Sequence, residues 1–206
     1  MRTQIKLFAA MLFAASVAAG SASAATFYLS PGGNDAATGT SEATSWRSFA
    51  WAFDPARMAA GDELVLLDGM YSEAAGTGRI DWLGAGSAQI PSGISVNQPT
   101  RVRALRPGSV VVEGPLFVGR SFRKDRFIEI TGITFDGAGN PEGGGSLYNT
   151  SDVVVRECGF HGSFGIGTND HSMGNDRNLI EDVWIWASGA RIIAFNYRSR
   201  YNVWRR

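Results

Sequence analysis

The chain has little cysteine, little lysine and few long apolar runs. It contains one cysteine, Cys158, so an intramolecular disulfide is excluded. In an alternating apolar segment such a thiol is a small core residue rather than a nucleophile. After residue 24, no run approaches the roughly 18 apolar residues of a membrane-spanning helix, which predicts a chain without a membrane partner.

Net positive charge is also absent. The 206 residues carry 19 basic and 19 acidic side chains, and loss of Arg2 and Lys6 with a leader would leave 17 basic ones (19 − 2). A nucleic-acid-binding domain is usually basic, so nucleic acid is not an expected partner. The remaining bases are Lys124 and 16 arginines. Because arginine binds carboxylates with a planar fork, this bias favours an acidic polysaccharide, although a GC-rich genome explains it equally simply.

Residues 1–24 have the three parts of a secretory signal peptide. Arg2 and Lys6 form the basic start, residues 7–19 are apolar, and Ala22-Ser23-Ala24 is an A-x-A cleavage site. The segment is too short and wrongly flanked for a membrane span. We expect cleavage after Ala24 and a secreted protein, either extracellular or periplasmic.

Three similar segments follow one another with a period of about 25 residues. They read FIEITGITFDG, DVVVRECGFHG and RNLIEDVWIWA, and the fragment YNVWRR begins a fourth. The equivalent residues Ile133, Cys158 and Val183 are spaced by 25 and 25 positions. A fixed period in this range is typical of a solenoid, in which each repeat is one coil.

Apolar residues alternate within each copy. Ile128 and Ile130 share one face, and beyond a two-residue corner Ile133 and Phe135 share the next. This pattern predicts two short strands that meet at a bend. Coils stacked about 4.8 Å apart give the expected fold, an all-β, right-handed parallel β-helix with inward columns of like residues. A leucine-rich horseshoe is excluded because the chain lacks its L-x-x-L-x-L pattern.

A helix pattern precedes the coils. Trp46, Phe49, Ala50 and Phe53 fall at i, i+3, i+4 and i+7, and Ser45 can cap the start. We predict an N-terminal capping α-helix that covers the apolar end of the β-helix.

The segment YLSPGGNDAATGTSEATSWRSFAWAF, followed by AAGDELVLLDGMYSE, resembles the opening of secreted pectin-lyase-like β-helix proteins. With the coil repeats, the resemblance extends over most of the chain. It implies an exported carbohydrate-active protein, of the polysaccharide-lyase type, that cleaves a uronate polymer by β-elimination. A non-catalytic glycan-binding or surface-structural β-helix and a uronate epimerase are the alternatives. The motif residues fit cap, turn and strand roles, so they do not by themselves indicate catalysis.

β-Elimination requires a base and a cation that neutralises the substrate carboxylate. The predicted catalytic residues are His161, Arg156 and Lys124, the last being the only lysine after the leader. A basic turn offers a purely solvated role for Lys124 as well.

The 25-residue spacing places Asp136, His161 and Trp186 in one outward column. An aromatic side chain can stack on a sugar ring while an imidazole moves a proton. Trp186, Asp136 and Arg191 are the predicted substrate-binding residues, although a position in a turn would leave the column without this role.

Two further columns carry charge. Arg156, Glu181 and Arg205 alternate in sign, which ion pairing explains without a function. Glu157 and Asp182 stack like charges, so either arginines or water offset them, or Ca²⁺ binds between them. No cofactor is required by the sequence, and calcium is the metal that this pair suggests.

We treat residues 25–206 as a single β-helix domain. Residues 25–75 hold the N-terminal strand, the capping helix and the first coil, and residues 76–206 hold further coils. Because the last segment matches only the first strand of a coil, we expect a truncated C-terminus that self-associates through its open strand edge.

Overall fold

The computed structural model describes residues 23–82, 87–119, 123–137, 143–167, 173–186 and 194–206. Over these ranges the chain is nearly all β, with 20 strands, one short α-helix and one 3-10 turn. None of the helices in the described ranges is long and apolar enough to cross a membrane. The predicted class, an all-β parallel β-helix, is confirmed.

The elements follow one another at short intervals. The first ten strands are β1 (Thr26–Leu29), β2 (Glu63–Leu66), β3 (Gly69–Tyr71), β4 (Thr100–Ala104), β5 (Val110–Glu113), β6 (Leu116–Val118), β7 (Asp125–Arg126), β8 (Ile128–Thr131), β9 (Ile133–Asp136) and β10 (Gly145–Leu147). The next ten are β11 (Thr150–Ser151), β12 (Val154–Arg156), β13 (Gly159–His161), β14 (Phe164–Ile166), β15 (Asn175–Asp176), β16 (Leu179–Glu181), β17 (Trp184–Trp186), β18 (Ala194–Asn196), β19 (Ser199–Arg200) and β20 (Val203–Arg205). The 3-10 turn is Glu42–Thr44, and the helix α1 is Phe49–Ala52.

The strands form four parallel sheets. Sheet 1 has the order β1-β2-β4-β8-β12-β16-β20, sheet 2 has β3-β5-β9-β13-β17, sheet 3 has β6-β10-β14-β18 and sheet 4 has β7-β11-β15-β19. From β4 onward the chain visits sheets 1, 2, 3 and 4 in that order and then returns to sheet 1. The sequence repeats cover sheets 1 and 2, whereas the strands of sheets 3 and 4 lie in the segments between the repeats.

Like residues stack in the interior at the predicted period. Val155 pairs with Ile130 on one side and with Ile180 on the other, and all three are buried. Phe160 pairs in the same way with Phe135, and their rings stack with centroids 5.5 Å apart. The alternation in the sequence therefore assigns the inward face of both sheets correctly.

Cys158 and Asn178 also lie inside, as predicted. Burial raises the pKa of the Cys158 thiol to about 12, which makes this residue a core side chain and not a nucleophile. The amide of Asn178 donates from Nδ2 to Oδ1 of Asn202 at 3.0 Å and accepts from the backbone N–H of Val153 at 3.1 Å. The stacked asparagines thus satisfy one another along the axis.

The capping helix is shorter than predicted. α1 begins after Ser48, whose hydroxyl accepts from the N–H of Trp51, and not at Ser45. Asp35 accepts hydrogen bonds from the backbone N–H groups of Arg47 and Ser48, at 2.8 and 2.9 Å, which holds this stretch extended. Trp46 accordingly forms a bridge with Leu29 beside β1. The Ala50 prediction was wrong, since its side chain is exposed and Ala52 is buried instead.

Candidate functional site

The outer face of sheet 2 carries the predicted column of polar and aromatic residues. Asp136 pairs with His161, and His161 pairs with Trp186, in the register of β9, β13 and β17. Glu113 of β5 precedes them in the same column. Because Phe160 points inward, its neighbour His161 points outward, as the period-two geometry of a strand requires. The structure therefore places three sequence-predicted site residues next to one another.

The imidazole of His161 is joined to the carboxylate of Asp136. Nδ1 of His161 lies 2.8 Å from Oδ1 of Asp136, and both side chains are half-buried. A carboxylate at this position favours the tautomer in which Nδ1 carries the proton and donates it to Oδ1. The lone pair of Nε2 then remains as the basic position of the ring. This arrangement matches the orienting carboxylate and histidine base of general base catalysts.

Trp186 lies above the histidine. Its ring is nearly parallel to that of His161, with centroids 5.6 Å apart and an interplanar angle of 18°. The six-membered part of the indole extends over Gly159 of β13, where a Cβ atom would lie 3.1 Å from Cζ3. Trp186 is 44% exposed, and Trp184 on the same strand is 64% exposed. Two aromatic surfaces are thus presented to solvent beside the His161–Asp136 pair.

Arg156 lies on sheet 1 and belongs to a charge ladder. Its guanidinium contacts Glu181 at 2.6 Å and Glu129 at 3.4 Å, while Arg205 contacts the other oxygen of Glu181 at 2.6 Å. Hydrogen bonds from Arg156 and then Arg205 hold the pKa of Glu181 below its ordinary value. The alternating ladder predicted from the sequence is present, and it occupies Arg156 with two carboxylates of its own sheet.

Lys124 precedes β7 in sheet 4. Its ammonium donates to the carbonyl of Met173 at 2.9 Å and to Oδ2 of Asp176 at 2.7 Å. Burial alone would raise the pKa of Asp176, but the contacts with Lys124 and Arg200 lower it. An ammonium held in this way ties two coils together, and it stays charged at the pH where a base must be neutral.

Three sheets thus hold the predicted catalytic residues. Arg156 is in sheet 1, His161 is in sheet 2, and Lys124 adjoins sheet 4. The structure brings His161 together with Asp136 and Trp186 but not with the other two. Arg191 lies outside the described residues, so its predicted part in substrate binding stays a prediction.

Glu157 and Asp182 occupy equivalent corners between sheets 1 and 2. Both have positive φ angles, 53° and 49°, and both are exposed. Two carboxylates alone do not meet the six to eight oxygen ligands of Ca²⁺. Within the described ranges no group of three or more His, Cys, Asp or Glu side chains could hold a metal ion. The pair does not fit a calcium site on its own, and we derive no step through a metal.

The residues behind the N-terminal resemblance have structural roles. Asp62 accepts from the backbone N–H groups of Ala25 and Ala59, both at 2.8 Å. The buried hydroxyl of Tyr71 donates to the carbonyls of Leu29 and Leu67 at 2.8 and 2.7 Å. With Asp35, which holds the chain before α1, these contacts account for the conserved-looking pattern as cap and corner.

Sequence reasoning missed two residues of the site. Trp184 stands at the position of Gly159 and Thr134 in the neighbouring coils, so alternation along β17 would have marked it as outward. Gly159 carries no such signal, because its importance lies in the ring placed above it. Comparison with protein-family models, with curated proteins and with solved structures finds no match to this chain.

Proposed function

We propose that the protein binds a polysaccharide on the outer face of sheet 2, at a glycan site formed by Asp136, His161, Trp184 and Trp186. The observation that carries this proposal is the seating of Trp186 over Gly159 and against His161, with 44% of its surface exposed. Binding of a sugar ring favours an aromatic side chain already fixed in position, because little side-chain entropy is then lost. Polar groups of Asp136 and His161 beside the ring can bind hydroxyls.

The expected ligand is acidic. Arginines outnumber the one remaining lysine in the exported form that we propose for residues 25–206, and guanidinium groups bind carboxylates in a planar fork. The resemblance of the N-terminal segment to pectin-lyase-like proteins supports the same ligand class. We infer a uronate polymer from these two arguments.

A lyase-like reaction is the second candidate, and the His161–Asp136 pair favours it. Nε2 of His161 would remove the proton alpha to the uronate carboxylate, and the electron pair of that C–H bond would form the new double bond as the C4–O bond breaks. The leaving oxygen takes a proton, so atoms and charges balance. Asp136 would orient the ring and stabilise its protonated form. An epimerase begins with the same proton removal, and a surface-structural role needs neither residue.

The two candidates are separated by measuring binding and chemistry together. The mature protein is titrated with polygalacturonate and alginate, with and without Ca²⁺, while tryptophan fluorescence reports binding and ultraviolet absorbance reports the unsaturated product. Trp186→Ala should weaken binding at least about tenfold, as stacking residues at sugar and base sites do. Tyr201→Ala is the matched control, because Tyr201 is 79% exposed and lies at a corner away from sheet 2.

Each outcome is decisive for one of the two. Saturable binding without product supports the glycan-binding protein alone, and product that disappears in His161→Ala supports the lyase. Failure of the wild-type protein to bind either polymer, or equal loss in Trp186→Ala and Tyr201→Ala, would overturn the proposed site.

A further inference from the structure

A cavity of about 590 Å³ lies between the end of α1, the segment 89–92 and the residues that precede β7. Its volume is within the range of small-molecule sites, which measure about 300–1,000 Å³. The cavity adjoins sheet 4 through Arg123 and Lys124, whereas the glycan site lies on sheet 2. The two features are therefore separate places on the molecule.

Two cations in the cavity wall are held by buried carboxylates. Arg123 donates from Nε and Nη2 to Oδ1 of Asp125, at 3.0 and 2.8 Å, and Asp125 is 1% exposed. Lys124 donates to Met173 and Asp176 as described above. Within the described ranges, Nη1 of Arg123 and the third N–H of Lys124 have no acceptor. Both cations are thus fixed in place and still have a donor to offer.

The remaining wall combines apolar and polar groups. Phe53, Pro55 and Pro91 provide its apolar part. The amide of Gln89 donates from Nε2 to the carbonyl of Phe117 at 3.3 Å, which leaves Oε1 as an acceptor. Ser92 fastens the wall to the coil, since its hydroxyl donates to Oδ1 of Asp125 at 3.0 Å.

We propose that this cavity binds one carboxylate-bearing sugar unit. The carboxylate would accept hydrogen bonds from Arg123 Nη1 and from Lys124, as charge-assisted pairs do. The C–H face of the ring would pack on the prolines and Phe53, and Oε1 of Gln89 would accept from a ring hydroxyl. A neutral sugar leaves the two donors unpaired, and a simple carboxylate leaves the apolar wall bare, so the cavity requires both parts of a uronic acid.

The test is a calorimetric titration of the mature protein with D-glucuronate, D-glucose and acetate. Glucuronate should bind saturably, and the other two should bind at least about tenfold more weakly, since each lacks half of the contacts. Arg123→Gln should weaken glucuronate binding at least about tenfold. Arg126→Gln is the matched control, because Arg126 is an exposed arginine on β7 that does not line the cavity.

The opposite results would overturn the proposal. They are absence of saturation by glucuronate, equal affinity for glucose or acetate, or equal losses in Arg123→Gln and Arg126→Gln. If Arg123→Gln lowers the melting temperature, Gln89→Ala replaces it, because that change keeps both ion pairs and should still reduce affinity about threefold or more. Loss of glucuronate binding in Trp186→Ala would assign the ligand to sheet 2 and refute this cavity, whereas its persistence there separates the two sites.

Discussion

The indole of Trp186 and the backbone of Gly159 lie on consecutive coils of sheet 2, and the ring occupies the space that a side chain at 159 would take. A Cβ atom there would lie 3.1 and 3.2 Å from Cζ3 and Cη2 of the indole. The same ring stacks on His161. Gly159 is needed at this position for space, since its backbone does not adopt the left-handed region.

Gly159→Val is therefore expected to displace Trp186 while leaving a residue that suits a strand. Uronate affinity should fall about fivefold, equivalent to about 1 kcal/mol of aromatic contact. Fluorescence titration measures the change. Thr134→Val, at the equivalent position one coil away, is the control, and an unchanged affinity in Gly159→Val would contradict a seated Trp186.

Asp136→Asn tests the second candidate function. An amide cannot favour the tautomer that leaves Nε2 basic, so product formation from a uronate polymer should fall at least about a hundredfold. Binding should change by less than about threefold, because Trp186 remains in place. The reaction rate and the dissociation constant are measured on the same preparation, and an undiminished rate would remove the pair from the chemistry.

Phe160→Ala probes the stacked interior. Phe160 is fully buried between Phe135 and Phe164, with ring centroids 5.5 and 3.9 Å away. Its truncation should lower the free energy of unfolding by about 3–5 kcal/mol. Urea denaturation gives the value, with Trp184→Ala as an exposed control that should cost less than about 0.5 kcal/mol. A loss below about 1 kcal/mol for Phe160→Ala would shift the register by one residue.

Asn178→Ala probes the asparagine ladder. The change removes the acceptor of the buried Val153 N–H and the donor to Asn202, so unfolding free energy should fall by about 1–3 kcal/mol. Asn202→Ala, at a half-buried position, should cost less. Equal and negligible losses in urea denaturation would mean that water satisfies both groups.

Glu181→Gln predicts a change in acid stability. Since Arg156 and Arg205 lower the folded-state pKa of Glu181, its contribution is present above the unfolded pKa and is lost as pH falls through the folded one. The urea midpoint of the wild-type protein should therefore decline more steeply than that of Glu181→Gln below about pH 5. Glu42→Gln, on the exposed 3-10 turn, is the control. Parallel midpoint curves for wild type and Glu181→Gln would show that the ladder adds no pH-dependent stability.

Part of the site followed directly from the spacing of residues. A coil of fixed length brings residues 25 apart into register, so Asp136, His161 and Trp186 had to share a column once the period was recognised. The sign of the column was equally accessible, because alternation with Phe135 and Phe160 decides which side chains face outward. The charge ladder through Arg156 and Glu181 follows from the same arithmetic.

The rest depended on contacts between segments that have no common period. The strands of sheets 3 and 4 have only two or three residues, too few for a pattern of alternation to appear. Capture of two backbone N–H groups by Asp35 shortened α1, and no local propensity announces that contact. The partners of Lys124 and of Arg156 neutralise them as catalytic candidates. The sequence by itself determined the coil, its inward face and its columns, because these repeat along the chain. Only the tertiary structure decided which charges are already paired and where Trp186 rests, because those depend on the neighbours that each coil meets.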